Sequence, residues 1–172
     1  MAGSKKRIGA FVGKFLPPHK GHLDQIEICA EDCDELYIVL ADNKYNSKRL
    51  CDMANIPYID AKLRLKWLKE HFAGRKNIHV IYMDESRKDL GPFPLNQANW
   101  SKEFKRITKN IINVKYADET YRELNERYFP ECEFVPFERQ EGISGTIIRQ
   151  SPKKHIDLII EEGRYFFEDM PK

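Results

Sequence analysis

Apolar residues along this chain fall into short unbroken runs separated by stretches with helical spacing. Residues 7–13, RIGAFVG, are apolar and β-prone and end in glycine; a proline-containing loop follows, then a helical pattern from about Leu23 to Cys33. The run Leu36-Tyr37-Ile38-Val39-Leu40 lacks alternation and ends in the polar group Ala41-Asp42-Asn43-Lys44, as a strand covered on both faces does. From Asp60 to Phe72 the spacing of Leu63, Trp67, Leu68 and Phe72 predicts a helix with one buried side, and residues 77–83 read as a third strand. Residues 86–99 are rich in Pro, Asn, Gly and charge and read as a loop, whereas Trp100 to Ile112 returns to helical spacing. Ile111 to Tyr116 and Glu133 to Phe137 are the last strand candidates, and Ile143-Ser144-Gly145-Thr146 opens a final helical region. Strands alternating with helices over short connections predict an α/β fold: a single doubly wound, Rossmann-like parallel sheet of about five strands with helices on both faces. No repeat, low-complexity tract or interdomain linker interrupts the pattern, so residues 1–172 are expected to form one domain.

Composition narrows the functional classes. Lys and Arg number 29 against 27 Asp and Glu, a net charge of +2 that predicts no general affinity for nucleic acid. Any phosphate site must therefore be local. The apolar runs are far shorter than the ~20 residues needed to span a bilayer, so no membrane role and a cytoplasmic location are the expectations. The four cysteines (Cys29, Cys33, Cys51, Cys132) lack CxxC spacing and read as reduced thiols. Cys29 and Cys33 could bridge a metal at i and i+4, but small buried residues on one helix face are the preferred reading.

In a doubly wound sheet the ligand crevice lies beyond the carboxyl ends of the strands. The stretch Gly13-Lys14-Phe15-Leu16-Pro17-Pro18-His19-Lys20-Gly21-His22 falls there. His19 and His22 can face one point and offer imidazole donors beside helix-end N–H groups, a suitable site for phosphate oxygens. A metal pair and simple capping or packing are the alternatives; His71, His79 and His155 lie in unrelated segments and complete no metal set. Gly13 admits close backbone approach, Pro17 and Pro18 stiffen the turn, Gly21 removes a side chain beside the expected phosphate, and Lys14 adds a cation. Near the other end, Ser144, Gly145 and Thr146 precede Arg149 at a helix start, which is either an anion cradle or an ordinary N-cap with a surface arginine.

Taken together, GKFLPPHKGH and ISGTIIR resemble the paired signatures of the HxGH nucleotidyltransferase superfamily, in the form found in archaeal-type and NadR-type nicotinamide mononucleotide adenylyltransferases. The resemblance spans nearly the whole chain, including the C-terminal stretch through Ser151-Pro152 and residues 162–167. It implies ATP and nicotinamide mononucleotide as partners, with Mg²⁺ accompanying the triphosphate, no metal held by the protein itself, and assembly as a homo-oligomer. His19, His22, Lys14 and Arg149 become the expected catalytic residues, and Gly13, Phe15, Gly21, Ser144, Gly145 and Thr146 the expected ATP-binding residues.

The superfamily also includes phosphopantetheine adenylyltransferases, cytidylyltransferases and flavin-nucleotide synthetases, so acceptor choice rests on other residues. Ala61-Lys62-Leu63-Arg64 resembles an AxxR element whose arginine reaches nucleotide phosphates, although a solvated helix face also fits a lone Arg64. Asp42 stands where the family places polar contacts to the acceptor. Trp100 resembles a tryptophan that stacks on the nicotinamide ring, an arrangement favoured by area and by charge; Trp67 reads instead as core. The sequence has no counterpart of the helix-turn-helix and ribosylnicotinamide kinase portions of full-length NadR-type proteins, so neither repression nor kinase activity is expected. A nucleotide-sensing module without turnover is the remaining alternative.

Overall fold

A computed structural model describes residues 5–92 and 95–170. In chain order the elements are β1 (Ile8–Gly13), α1 (Lys20–Asp32), β2 (Glu35–Asp42), α2 (Lys44–Met53), α3 (Ala61–His71), β3 (Ile78–Asp84), α4 (Leu95–Ile107), β4 (Val114–Asp118), α5 (Arg122–Tyr128), β5 (Glu133–Phe137), α6 (Gly145–Gln150) and α7 (Tyr165–Glu168), joined by loops and short 3-10 turns. The strands form one parallel sheet in the order β3-β2-β1-β4-β5. This is the Rossmann-like arrangement that alternating apolar runs require, because parallel neighbours need a helical crossover and both sheet faces are then covered.

Alternate residues of β1 feed two cores. Phe11 joins Ile26, Leu36, Ile38, Leu40, Trp67 and Ile148 on one face, while Ala10 joins Val39, Ala41, Met83, Phe104 and Phe129 on the other. α1, α3 and α6 therefore cover the first face and α4 the second. Trp67 is 1% exposed and packs edge-on to Tyr165 and Phe166, in keeping with its reading as core. Because β1 leads to β2 on one side while β3 returns across to β4 on the other, the crevice of the sheet opens at the carboxyl end of β1.

Several boundaries differ from those read in the sequence, each for a local reason. α1 begins at Lys20, not Leu23, since His19 takes the N-cap position. α2 was not read at all: Asn43 caps it by accepting from the Tyr45 and Asn46 N–H groups, but only Ser47 and Cys51 are buried, so it carries little apolar periodicity. α4 starts at Leu95 inside the stretch read as loop, and its polar first turns hide it. It stops at Ile107, before Ile112, because Lys109 and Asn110 adopt positive φ and the Asn110 N–H returns to the Lys105 carbonyl. β4 is correspondingly displaced to Val114–Asp118, and the short α5 was also missed.

The deepest polar contact ties α3 to the carboxyl end of β2. Arg64 and Asp42 are both 0% exposed, and Arg64 Nη2 donates to Asp42 Oδ1 over 2.8 Å. Ser47 donates to the same oxygen, and the remaining Arg64 groups donate to the carbonyls of Ile59 and Lys14. Removing one partner of such a pair leaves a buried charge unanswered. Asp42→Ala is expected to lower the unfolding free energy by about 3–5 kcal/mol in urea titrations; a loss near zero would mean that the pair contributes nothing to the fold.

Candidate active site

The loop after β1 is shaped by three contacts on consecutive residues. Phe15 has a left-handed backbone, φ 53°, unusual for a bulky side chain. Its ring is fully buried, 6.1 Å from Phe11 and 4.6 Å from the His22 imidazole between centroids. On either side a guanidinium holds a carbonyl: Arg64 Nη1 donates to Lys14 O at 2.8 Å and Arg149 Nη1 donates to Leu16 O at 2.7 Å. Gly13 lies beneath this turn, where an added Cβ would approach the Phe15 ring to 3.0 Å. The Phe15 side chain is thus core, and only its backbone belongs to the site. The turn is closed from the C-terminal segment, where Ile160 N–H donates to Pro18 O and Ile159 bridges His19.

His19 and His22 come together as the spacing predicts. Their rings stack with centroids 3.7 Å apart and planes inclined by 24°. His22 Nδ1 accepts the His19 backbone N–H at 3.2 Å, which places the neutral imidazole's proton on Nε2. His19 is 5% exposed and its Nδ1 has no partner among the described residues. Burial, assisted by Arg149, lowers His19 to about 4; burial and the neighbouring His19 hold His22 well below the usual histidine range. Both imidazoles are therefore neutral donors when no anion is bound. Gly21 fits against this pair, since a Cβ there would lie 3.0 Å from His19 atoms.

The second motif meets the first. Ser144 caps α6 by accepting the Ile147 N–H, and Thr146 Oγ1 accepts from Arg149 Nη2 at 3.3 Å. A Cβ at Gly145 would be 2.8 Å from Arg149 Nη1 and 2.9 Å from Leu16 O, so glycine is what allows α6 to reach the loop. Arg149 is 7% exposed and pairs with no carboxylate among the described residues. Burial lowers its pKa and also that of Lys14, where Glu85 opposes the effect and Arg149 adds to it. A buried arginine acts on the His19 imidazole and on the half-buried Lys14, so positive charge and imidazole donors gather around one loop.

Beside this cluster lies a cleft of about 330 Å³ at the ends of β2 and β3, lined by Asn43, Glu85, Asn96 and Trp100 among others. Trp100 Nε1 donates to Glu85 Oε2 at 2.8 Å, and its ring stacks on Phe104 at 5.4 Å. The buried Lys115 Nζ lies 4.2 Å from the Phe104 ring and 5.4 Å from that of Trp100. Trp100 is thus a backed platform in the second turn of α4. Burial raises the Glu85 carboxyl above its ordinary range, with the Trp100 hydrogen bond opposing.

Asp42 and Arg64, expected to contact the acceptor, do not reach a surface. Among the described residues every hydrogen bond that Arg64 makes is internal, and Asp42 Oδ2 is buried without a partner. As placed, these residues brace the loop. Glu85 and Asn43 were not singled out in the sequence. Both stand one residue beyond a strand, the position where a doubly wound sheet presents its ligand contacts, so that rule would have found them once β2 and β3 were bounded correctly.

A model of the cytidylyltransferase-like family matches residues 10–151. The trifunctional NAD biosynthesis/regulator protein NadR of Escherichia coli (strain K12) is 27% identical over 172 residues, covering 95% of this chain and 41% of that protein. The chain thus spans less than half the length of this curated relative. The crystal structure of NadR protein in complex with NAD and AMP-PNP is similar with a TM-score of 0.75 at 23% identity, over 95% of this chain and 47% of that one. A bifunctional NMN adenylyltransferase/ADP ribose pyrophosphatase from Francisella tularensis, complexed with AMP and a Mn ion, is similar with a TM-score of 0.58 at 20% identity, over 98% of this chain and 46% of that one.

The buried neutral histidine has a consequence for stability. Below the unfolded value of about 6.5 the unfolded chain binds a proton that folded His19 refuses until about pH 4, so stability falls as pH drops through that window. His19 alone should remove about 3 kcal/mol between pH 7 and pH 4. Urea titrations across this range should show a flatter dependence for His19→Asn than for the unmodified chain. Parallel curves would mean that His19 is not held neutral.

Proposed function

The chain belongs to the cytidylyltransferase-like family of nucleotidyltransferases, and on that premise we propose that it transfers the adenylyl group of ATP to nicotinamide mononucleotide, forming NAD and pyrophosphate. The observation that carries this reading is the convergence of His19, His22 and Arg149 on the loop that also bears Lys14, at the crevice of the sheet, with no carboxylate bonded to any of the four among the described residues. Adenine and nicotinamide are supported by relatives whose descriptions name NAD biosynthesis, AMP-PNP and AMP.

In the proposed reaction an oxygen of the acceptor's 5′-phosphate attacks the α-phosphorus of ATP. A new P–O bond forms, the bond from the α-phosphorus to the α–β bridging oxygen breaks, and pyrophosphate leaves with that electron pair. Such a transfer depends on positioning and charge neutralisation and needs no protein nucleophile. His22 Nε2–H and the His19 imidazole donate to α- and β-phosphate oxygens, while Lys14 and Arg149 offset charge on the departing pyrophosphate. A bound phosphate favours protonated imidazole, opposing the burial that keeps both rings neutral in its absence. Mg²⁺ enters with ATP as part of the substrate. Among the described residues no group of three or more His, Cys, Asp or Glu is placed to hold a metal ion, so triphosphate oxygens are its expected ligands. Trp100 stacks on the pyridinium ring of the acceptor, backed by Phe104.

The direct test incubates the purified chain with ATP, Mg²⁺ and separate acceptors, including nicotinamide mononucleotide and phosphopantetheine, and measures pyrophosphate and product mass. NAD formation is expected; turnover of phosphopantetheine alone, or of no acceptor, would refute the assignment. His22→Ala should lower kcat by about 10²–10³. Trp100→Ala should raise KM for nicotinamide mononucleotide about tenfold and leave KM for ATP nearly unchanged; equal effects on both would remove Trp100 from the acceptor site.

A further inference from the structure

The cleft beside Trp100 is rich in hydrogen-bond acceptors that the protein itself leaves unanswered. Glu85 uses Oε2 to accept from Trp100, and its other oxygen has no partner among the described residues. No cation among those residues lies within ion-pairing distance of this carboxylate: Lys14 acts on it only through longer-range attraction, Arg87 is committed to Asp89 and Glu103, and Lys88 is exposed at the rim without a pair. Asn96, on the first turn of α4, has a buried Oδ1 that also lacks a partner. Both residues line the same cleft as Trp100. A ring stacked on Trp100 would therefore enter a cleft lined by one carboxylate and one amide side chain whose oxygens lack donors among the described residues.

From this arrangement we infer that Glu85, assisted by Asn96, is the specificity-determining residue that selects a nicotinamide ring bearing a carboxamide over one bearing a carboxylate. The inference rests on the proposed function and deepens it. A carboxamide brings two N–H donors to these oxygens, and the cationic pyridinium ring is attracted to the Glu85 charge. A nicotinate ring brings two more acceptors and a second negative charge into a partly desolvated site, leaving buried groups unpaired. Rejection of this kind discriminates more strongly than a difference in shape does, because the wrong ligand cannot satisfy the site.

The experiment compares kcat/KM for nicotinamide mononucleotide and nicotinic acid mononucleotide, with ATP and Mg²⁺ fixed, in the unmodified chain, Glu85→Gln and Glu85→Asp. The unmodified chain should prefer the amide at least tenfold. Glu85→Gln keeps an acceptor for Trp100 Nε1 and removes the charge; it should cut the preference at least tenfold, chiefly by raising activity on the acid. Glu85→Asp keeps the charge and should retain most of the preference. Preference of the unmodified chain for the acid, or an unchanged ratio in Glu85→Gln, overturns the inference while leaving adenylyl transfer intact. Turnover of neither mononucleotide overturns the proposed function, and this inference with it.

Discussion

Arg149 is a buried cation whose bonds run to a carbonyl and a hydroxyl, the oxygens of Leu16 and Thr146, rather than to a carboxylate. Taking a guanidinium out of water without an opposing charge is unfavourable, and burial lowers its pKa accordingly. The contact nevertheless joins the loop after β1 to α6 across 133 residues of sequence. Through it the two segments proposed to bind phosphate become one surface. Glycine at position 145 is the local condition, since any side chain there would collide with both partners of the bond.

A second arginine completes the arrangement from below. Arg64 is neutralised by Asp42 and holds the Lys14 carbonyl, while Arg149 holds that of Leu16 two residues later. Phe15 stands between them with its ring sunk in the core and its backbone in the left-handed region. A conformation of this sort costs on the order of 1–3 kcal/mol and persists where surrounding contacts over-determine it. Here two buried guanidiniums and an anchored ring do so. The two arginines thus divide the electrostatic work: one has its counter-ion inside the protein and fixes geometry, and the other, without one among the described residues, is the cation that attracts phosphates in the proposed reaction.

Much of this was legible in the sequence because the fold is written in strong signals. Unbroken apolar runs gave the five strands, and the loop after the first strand marked the crevice. The meeting of His19, His22 and Arg149 was expected from the pairing of the two motifs, although each alone also allowed a capping or packing role. What escaped was set by tertiary context. Arg64 on α3 has the spacing of any exposed helical cation, and only the approach of Asp42 at the end of β2 shows that it is buried. Phe15 sits within a ligand-binding motif yet points inward, which no periodicity reveals. Glu85 was concealed by a charged segment whose strand and helix boundaries composition alone does not define.

Two motifs that act as a single clamp on one triphosphate must be energetically coupled, and that coupling is directly measurable. Dissociation constants for the magnesium complex of ATP, measured by calorimetry for the unmodified chain, His22→Ala, Arg149→Met and the double variant, form a double-mutant cycle. Groups that bind one triphosphate through a shared loop should show an interaction energy of about 1 kcal/mol or more, the double variant losing less than the two single losses combined. Strict additivity, within about 0.3–0.5 kcal/mol, would mean that the motifs act as separate sites and would contradict the clamp.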